Sequence, residues 1–520
     1  MLRLPAVREE PFLRVAWAVG AGVCLALALP GVGLVPLVLL VPGLLRRALQ
    51  GVAGVRAARI GWIAGFSQWA VAVPWVVIVL HRYGHAPLLL AIGGWLAMAG
   101  MLGTTWALAA WVACSGRASW LPWALPLALA AVEVLQGLPP WHFPWNPVAA
   151  VATGWPWLLL PVATVGSAGL SLLLLAVGGA LDALFAPGLR RLGALQLATV
   201  AVAAVVAAAA APPFRPAGGA VQVAALQPNV PLEERWESGN REAIEGRVWD
   251  LSHAAVRGGS RWVVWPESAV PRIVERDGAL HRRLEEFARL QQVWLTVGSI
   301  GLGRWSEAAY FNSVYTVTPA GLAPWRYDKI HLVPFGEYVP LLGRLAVLRP
   351  LVREVGGFTP GRNPLPVPGP VGPVGMEVCY EVAFPQLAAE QVRLGARVLA
   401  TITNDGWYGD SAAPRQHLAL AQLRAAETRR YLVRAANTGI SALIDPRGRP
   451  LERLGVGRLG MVSGVVEGGE GITPAVAYGG TVRVALVVLG LGGILVGAWV
   501  CRRWRPVTGA AMGAQGRSHA

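Results

Sequence analysis

Long apolar runs separated by short connections fill the first 212 residues of this chain, and one more run falls near its C-terminus. They lie near 12–29, 32–45, 60–80, 87–113, 119–137, 157–185, 193–212 and 481–501. A helix crosses a bilayer core with about 20 apolar residues, so the pattern predicts eight spans, seven in an N-terminal bundle over 1–212 and one at 481–501. The run at 32–45 is short and follows a kink signal at Leu29-Pro30-Gly31. The first run, behind Arg3 and Arg8, also has the outline of a signal peptide, but no convincing cleavage site follows it.

The pattern changes between residues 220 and 470, where polar and apolar positions mix as in a water-soluble domain. β-rich runs at 221–226, 262–265, 293–297, 312–317, 374–378, 398–402 and 441–444 alternate with helical patterns at 240–257, 280–291, 383–395 and 414–433. Strand and helix in turn predict a layered α/β domain. The Gly/Ala/Arg tail, 506–520, is predicted to be disordered.

Composition agrees with two solvents for two parts. Of 520 residues 54% are hydrophobic and only 14% charged, and residues 1–212 hold four acidic side chains, Glu9, Glu10, Glu133 and Asp182. The net charge of +16 comes without a basic helix, an RNA-binding aromatic motif or zinc spacing, so nucleic acid is not indicated. Instead the arginines cluster in alternate connections: Arg3 and Arg8, Arg46 to Arg59, Arg117, Arg190 and Arg191, then Arg502 to Arg505. That bias places both termini in the cytoplasm and residues 220–470 outside it. On the outer side, Trp141-His-Phe-Pro-Trp145 reads as an interfacial aromatic belt. Three of the four cysteines, Cys24, Cys114 and Cys501, lie in or beside apolar runs, which argues against a disulfide framework.

Three segments carry chemistry. Lys329 is the single lysine among 45 basic residues. A genome rich in arginine codons accounts for the other 44 but not for the exception, which points to a site where a compact ammonium is needed. It lies in Asp328-Lys-Ile-His-Leu-Val-Pro-Phe-Gly-Glu-Tyr338, a loop leaving a strand, and Glu337 could fold back onto it or stay exposed. Cys379 ends the strand of Gly375-Met-Glu-Val-Cys-Tyr-Glu381 ahead of a helical pattern, a place that would favour a thiolate; taken by itself it reads more readily as an inert buried thiol. Glu267, in Val264-Trp-Pro-Glu-Ser268, ends another strand as a base or a cap. Together a carboxylate, an ammonium and a thiol at strand ends could meet on one sheet edge, as acyl transfer by cysteine requires. There is no Gly-x-Ser-x-Gly elbow and no Cys-x-x-Cys pair, so serine and metal chemistry drop away and no cofactor or metal is expected.

These residues resemble the nitrilase superfamily and, more narrowly, the apolipoprotein N-acyltransferases. The resemblance rests on Trp-Pro-Glu-Ser at 265–268, the segment 328–338, Cys-Tyr-Glu at 379–381 and Asn-Asp-Gly-Trp at 404–407, joined to the apolar spans. It implies an αββα sandwich in a multi-span helical protein of the bacterial inner membrane. It implies a ping-pong reaction in which Cys379 takes an acyl chain from a phospholipid such as phosphatidylethanolamine and passes it to the N-terminal amine of a diacylated apolipoprotein. Glu267 would be the base and Lys329 the oxyanion cation, with Glu337 and Glu381 in support, Tyr380 lending its backbone N–H, Trp236 on a loop meeting substrate, and Asn404 and Trp407 in the wall. From spacing alone Trp236 is equally a packing residue. A membrane-tethered amidase, or a binding or transport protein with an inactive domain, remains the alternative at this point.

Overall fold

The computed structural model describes residues 11–234, 238–303, 309–334, 336–338, 357–496 and 499. Trp236 and the tail at 506–520 lie outside them. The N-terminal part is helical: α1 (Pro11–Ala28), α2 (Val41–Leu49), α3 (Val55–Ala72), α4 (Trp75–Ile78), α5 (Leu88–Ala113), α6 (Leu121–Gln136), α7 (Val162–Phe185) and α8 (Arg190–Ala209). Among the described residues six helices of the chain are long and apolar enough to cross a bilayer, and α3 with the piece reaching Tyr83 makes a broken seventh, bent by 57°.

The run at 32–45 differs from its expectation. It forms a 3-10 turn, Val35–Leu40, followed by the nine-residue α2, and neither piece is long enough to be a span. The two in series still retrace α1. Arg14 Nη1 at the start of α1 donates to the carbonyls of Ala48 in the last turn of α2 and of Gln50 just past it, whereas a Cβ on Gly31 would touch Ala412 in the polar part of the chain. Proline at 36 and 42 removes N–H donors, which explains why the stretch is not one straight helix. The run at 157–185 is likewise broken, because Gly166 takes φ 70° inside α7. The freed N–H of Ser167 donates at 2.5 Å to Glu427 of the polar part.

Small residues set the helix spacing. A Cβ on Gly22 would sit 2.1 Å from the Ala64 carbonyl, and one on Gly61 2.4 Å from that of Trp106, so α1, α3 and α5 pack backbone to backbone.

The polar part follows as β1 (Pro216–Gln227), α9 (Arg241–Arg257), β2 (Trp262–Val264), α10 (Gly278–Gln291), β3 (Trp294–Leu302), β4 (Tyr310–Thr318), β5 (Gly321–Leu322), β6 (Tyr327–Asp328), β7 (Val374–Val378), α11 (Pro385–Arg393), β8 (Val398–Thr403), α12 (Ala413–Thr428), β9 (Leu432–Ala436), β10 (Ser441–Ile444), β11 (Pro450–Leu454), β12 (Gly460–Gly469) and α13 (Pro474–Val487). One sheet runs β12-β1-β2-β3-β4-β5 with β6 on β4, the other β11-β10-β9-β8-β7. Val223, Val264, Met376, Ile402 and Val433 fill the space between the sheets. The outer face of the first sheet packs on α9 and α10 through residues such as Trp249, Trp265 and Leu284. α11 and α12 cover the second sheet, completing an αββα sandwich.

Every residue of α12 except Arg415 is buried, because its other face packs against the membrane helices within one continuous apolar cluster. That explains how the helical pattern at 414–433 misleads: with no solvent face to mark a boundary, the sequence hides the stop at Arg429, whose φ of 52° ends the helix ahead of β9.

Gly61→Val is expected to force α3 away from α5 and to lower stability by about 1–3 kcal/mol, the ordinary cost of overpacking. A thermal melt of the purified protein that stays unchanged in this variant would contradict the backbone contact.

Candidate active site

Four segments leave the carboxyl ends of strands and meet between the two sheets, where open α/β sheets build their sites. Glu267 follows β2, Lys329 follows β6, Cys379 follows β7 and Asn404 follows β8.

Lys329 is 1% exposed. Its Nζ lies 2.8 Å from Glu337 Oε2 and 3.9 Å from Glu267 Oε1. Burial works against the ammonium, but the carboxylates of Glu337 and Glu267 outweigh it and hold its pKa well above the ordinary lysine value. Each carboxylate is fixed in turn. Asn312 Nδ2 donates to Glu267 at 2.6 Å and to Glu337 at 2.9 Å, so one amide spans both. The N–H of Asn404 donates to the other oxygen of Glu267, and that of Val333 to Glu337, both at 2.9 Å.

Cys379 takes φ 55°, a left-handed conformation that a side chain rarely adopts. Its neighbours hold it there. Glu381 Oε2 accepts from the N–H of Val378 at 2.8 Å, while its Oε1 accepts from Ile330 and His331 N–H and from the Tyr327 hydroxyl. One buried carboxylate thus laces the lysine loop to the strand that presents the thiol. Burial pushes that carboxyl's pKa up to about 7, against the pull of these N–H groups and of Lys329. The thiol itself is pushed up to about 12, first by burial and then by the charge of Glu267, with Lys329 pulling the other way. The resting sulfur is therefore a protonated thiol near the Glu267 carboxylate and the Lys329 ammonium.

Tyr380 points away from the lysine, and its hydroxyl donates to the His142 carbonyl at 2.7 Å. The segment 141–145 is consequently not an exposed belt. Trp145 is buried, stacks on Tyr380 and meets the His417 ring at a tilt. The exposed indoles sit further along, at Trp155 and Trp157. Trp407 is 43% exposed and meets Tyr83 edge to face, and Asn404 Oδ1 accepts from Gly406 N–H and Asn437 Nδ2.

Several groups here escaped the sequence reading. Asn312 was legible only as a strand residue, and only the pairing of β4 with its neighbours sets it between two acids. Asp405 sits inside the Asn-Asp-Gly-Trp motif, yet nothing in the spacing foretells its partners: Arg434 Nη2 donates to it at 2.8 Å, and His417 Nδ1 lies 2.8 Å from its other oxygen. Burial would raise its pKa, but Arg434 and His417 hold it far below the usual carboxylate range. The other ring nitrogen of His417 lies 2.9 Å from the Cys379 carbonyl, so this group braces the backbone of Cys379 from behind. Gln416 Oε1 accepts from both Trp75 and Trp145 and its Nε2 donates to the Ala72 carbonyl, which ties the membrane helices to the same turn of α12.

Comparison with known proteins gives matching results for both halves. The family model described as carbon-nitrogen hydrolase matches residues 222–466, and the apolipoprotein N-acyltransferase N-terminal domain matches residues 21–180. The apolipoprotein N-acyltransferase of Geobacter metallireducens is 32% identical over 96% of this chain and 98% of its own. That of Azotobacter vinelandii is 35% identical over 92% and 94% respectively. Among solved structures, the C. elegans NitFhit protein aligns with 51% of this chain and 63% of its own, at 20% identity and a TM-score of 0.39.

Because burial and the Glu267 charge both raise the Cys379 pKa, alkylation by iodoacetamide should still be accelerating at about pH 10, whereas a free thiol levels off above about 8.5. Glu267→Gln removes one of the raising charges and should move the profile to lower pH. Mass-spectrometric rates across pH test both statements, and a wild-type plateau near that of free cysteine would contradict them.

Proposed function

This chain belongs to the apolipoprotein N-acyltransferase family, membrane enzymes that N-acylate lipoproteins, and from that premise we propose which of its groups carry each step. Glu267 takes the thiol proton as Cys379 Sγ attacks the ester carbonyl of a phospholipid. The oxyanion of the tetrahedral intermediate is held by the Lys329 ammonium and by backbone N–H groups at Tyr380. Collapse expels the lysophospholipid alkoxide, which leaves with the proton from Glu267, and the acyl chain stays on sulfur as a thioester. The free α-amine of the diacylglyceryl-cysteine then attacks, Glu267 receives its proton, and the departing thiolate takes that proton back. The product is an amide and the resting enzyme.

The observation that carries this reading is the buried ammonium between Glu337 and Glu267. A cation confined there attracts an oxyanion formed at Cys379, and it also stabilises Glu267 as a carboxylate able to accept a proton. Glu337 and Glu381 act as positioning residues. The aromatic packing of Trp145, Tyr380 and Phe384 near the thiol limits water, which favours transfer to an amine over hydrolysis. Asn404 and Trp407 are the proposed wall residues, Trp236 is a proposed substrate contact, and phosphatidylethanolamine is the proposed donor.

The protein is a multi-pass protein of the inner membrane. We place both termini in the cytoplasm and residues 220–470 on the opposite side. The arginine bias supports this orientation, as do the contacts of Arg14 with the end of α2 and of Arg46 with Asp182, all gathered at one end of the bundle.

Incubation of the purified enzyme with a phospholipid carrying a labelled acyl chain should leave label on the protein through a hydroxylamine-sensitive bond, released onto a diacylated lipopeptide. Cys379→Ser should carry none; a labelled variant would overturn the nucleophile. For orientation, an impermeant thiol reagent applied to intact spheroplasts should modify Leu290→Cys and spare Arg190→Cys, and the reverse result would invert the topology.

A further inference from the structure

We propose that a crevice between the outer ends of the membrane helices and α12 holds the phosphate headgroup of a phospholipid that is not the acyl donor. The cavity measures about 560 Å³, within the range of about 300–1,000 Å³ usual for small-molecule sites. On the membrane side it is walled by Ala28, Val35 and Val151, at the end of α1, the 3-10 turn and the segment ahead of α7. On the other side stand Leu418 and Ile440 of the sandwich.

This is not the catalytic pocket. On α12, His417 turns to the Cys379 carbonyl and Gln416 to Trp75 and Trp145. Arg415, Leu418 and Gln422, spaced three and four apart, form the stripe that faces the crevice. The body of the helix, about 10 Å across with its side chains, stands between the crevice and the thiol.

The charges choose the ligand. Arg415 and Arg453 line the crevice from two different elements, both are exposed, and neither forms an ion pair among the described residues. Two planar guanidinium forks over an apolar floor suit a phosphate diester, which they can grip with paired hydrogen bonds. Asp410, also in the lining, leaves one net positive charge, matching the single charge of a phosphodiester. The surroundings favour a lipid as its bearer. Val32 and Leu34 are exposed beside Gly31 and Gly33 of the lining, and Trp155 and Trp157 stack with a centroid separation of 6.1 Å just beyond Gly154. Exposed indoles and aliphatic side chains at helix ends sit at headgroup level. The phosphate then bridges α12 and β11, while the acyl chains follow the exposed apolar flank of the turn after α1.

Full-length protein with Thr153→benzoylphenylalanine, a position inside the crevice, is placed in nanodiscs with trace radiolabelled lipid and irradiated. Phosphatidylglycerol and phosphatidylethanolamine should be captured about tenfold more than diacylglycerol with the same chains, and R415Q/R453Q should lower capture by a similar factor. R415K/R453K should retain most of it, and matched melting temperatures exclude a folding defect. Equal capture of diacylglycerol, capture unaffected by R415Q/R453Q, or complete competition by free glycerol 3-phosphate would each overturn the proposal.

Discussion

A single ammonium, held out of water between two carboxylates, is the interaction on which the rest of the site depends. Taking a lysine out of water costs several kcal/mol unless its charge is matched, and Lys329 is matched twice, closely by Glu337 and at longer range by Glu267. Each acid must then be prevented from relaxing onto the cation. Asn312 does this for both, and backbone N–H groups of Asn404 and Val333 hold the oxygens that Asn312 leaves. The outcome is a charge distribution fixed before substrate arrives, which is the condition for electrostatic stabilisation without reorganisation.

The thiol enters this arrangement through strain rather than through a charge of its own. Its left-handed backbone costs of order 1–3 kcal/mol, and it persists because both sides are over-determined. Glu381 binds the N–H before it and the lysine loop together, and His417, backed by Asp405 and Arg434, meets its carbonyl.

The same braces fasten the soluble half to the membrane half. Tyr380 beside Cys379 bonds to His142, Gln416 beside His417 gathers two indoles and the end of α3, and Glu427 at the far end of α12 caps the renewed helix at Ser167. α12 therefore serves two cores at once, and the burial of all its residues but Arg415 follows from that double duty. The candidate site assembled on this seam is joined to the membrane helices by hydrogen bonds as well as by apolar packing.

Much of this was legible in the chain. Apolar runs of bilayer length, arginines in alternate connections, the lone Lys329 and three strand-ending motifs each obey local rules, because hydropathy, charge bias and strand-to-loop transitions are properties of neighbours in sequence. What the tertiary structure decided are relations between distant residues. Proline turned the run at 32–45 into two short pieces whose combined path only the contacts of Arg14 and Gly31 reveal. Trp145 reads as a belt residue but is buried, since its fate depends on Tyr380 and His417, more than 200 positions away. Asn312, Asp405 and His417 carry no sequence signal, because a hydrogen bond needs two atoms about 3 Å apart, and sheet pairing and helix packing alone set that distance.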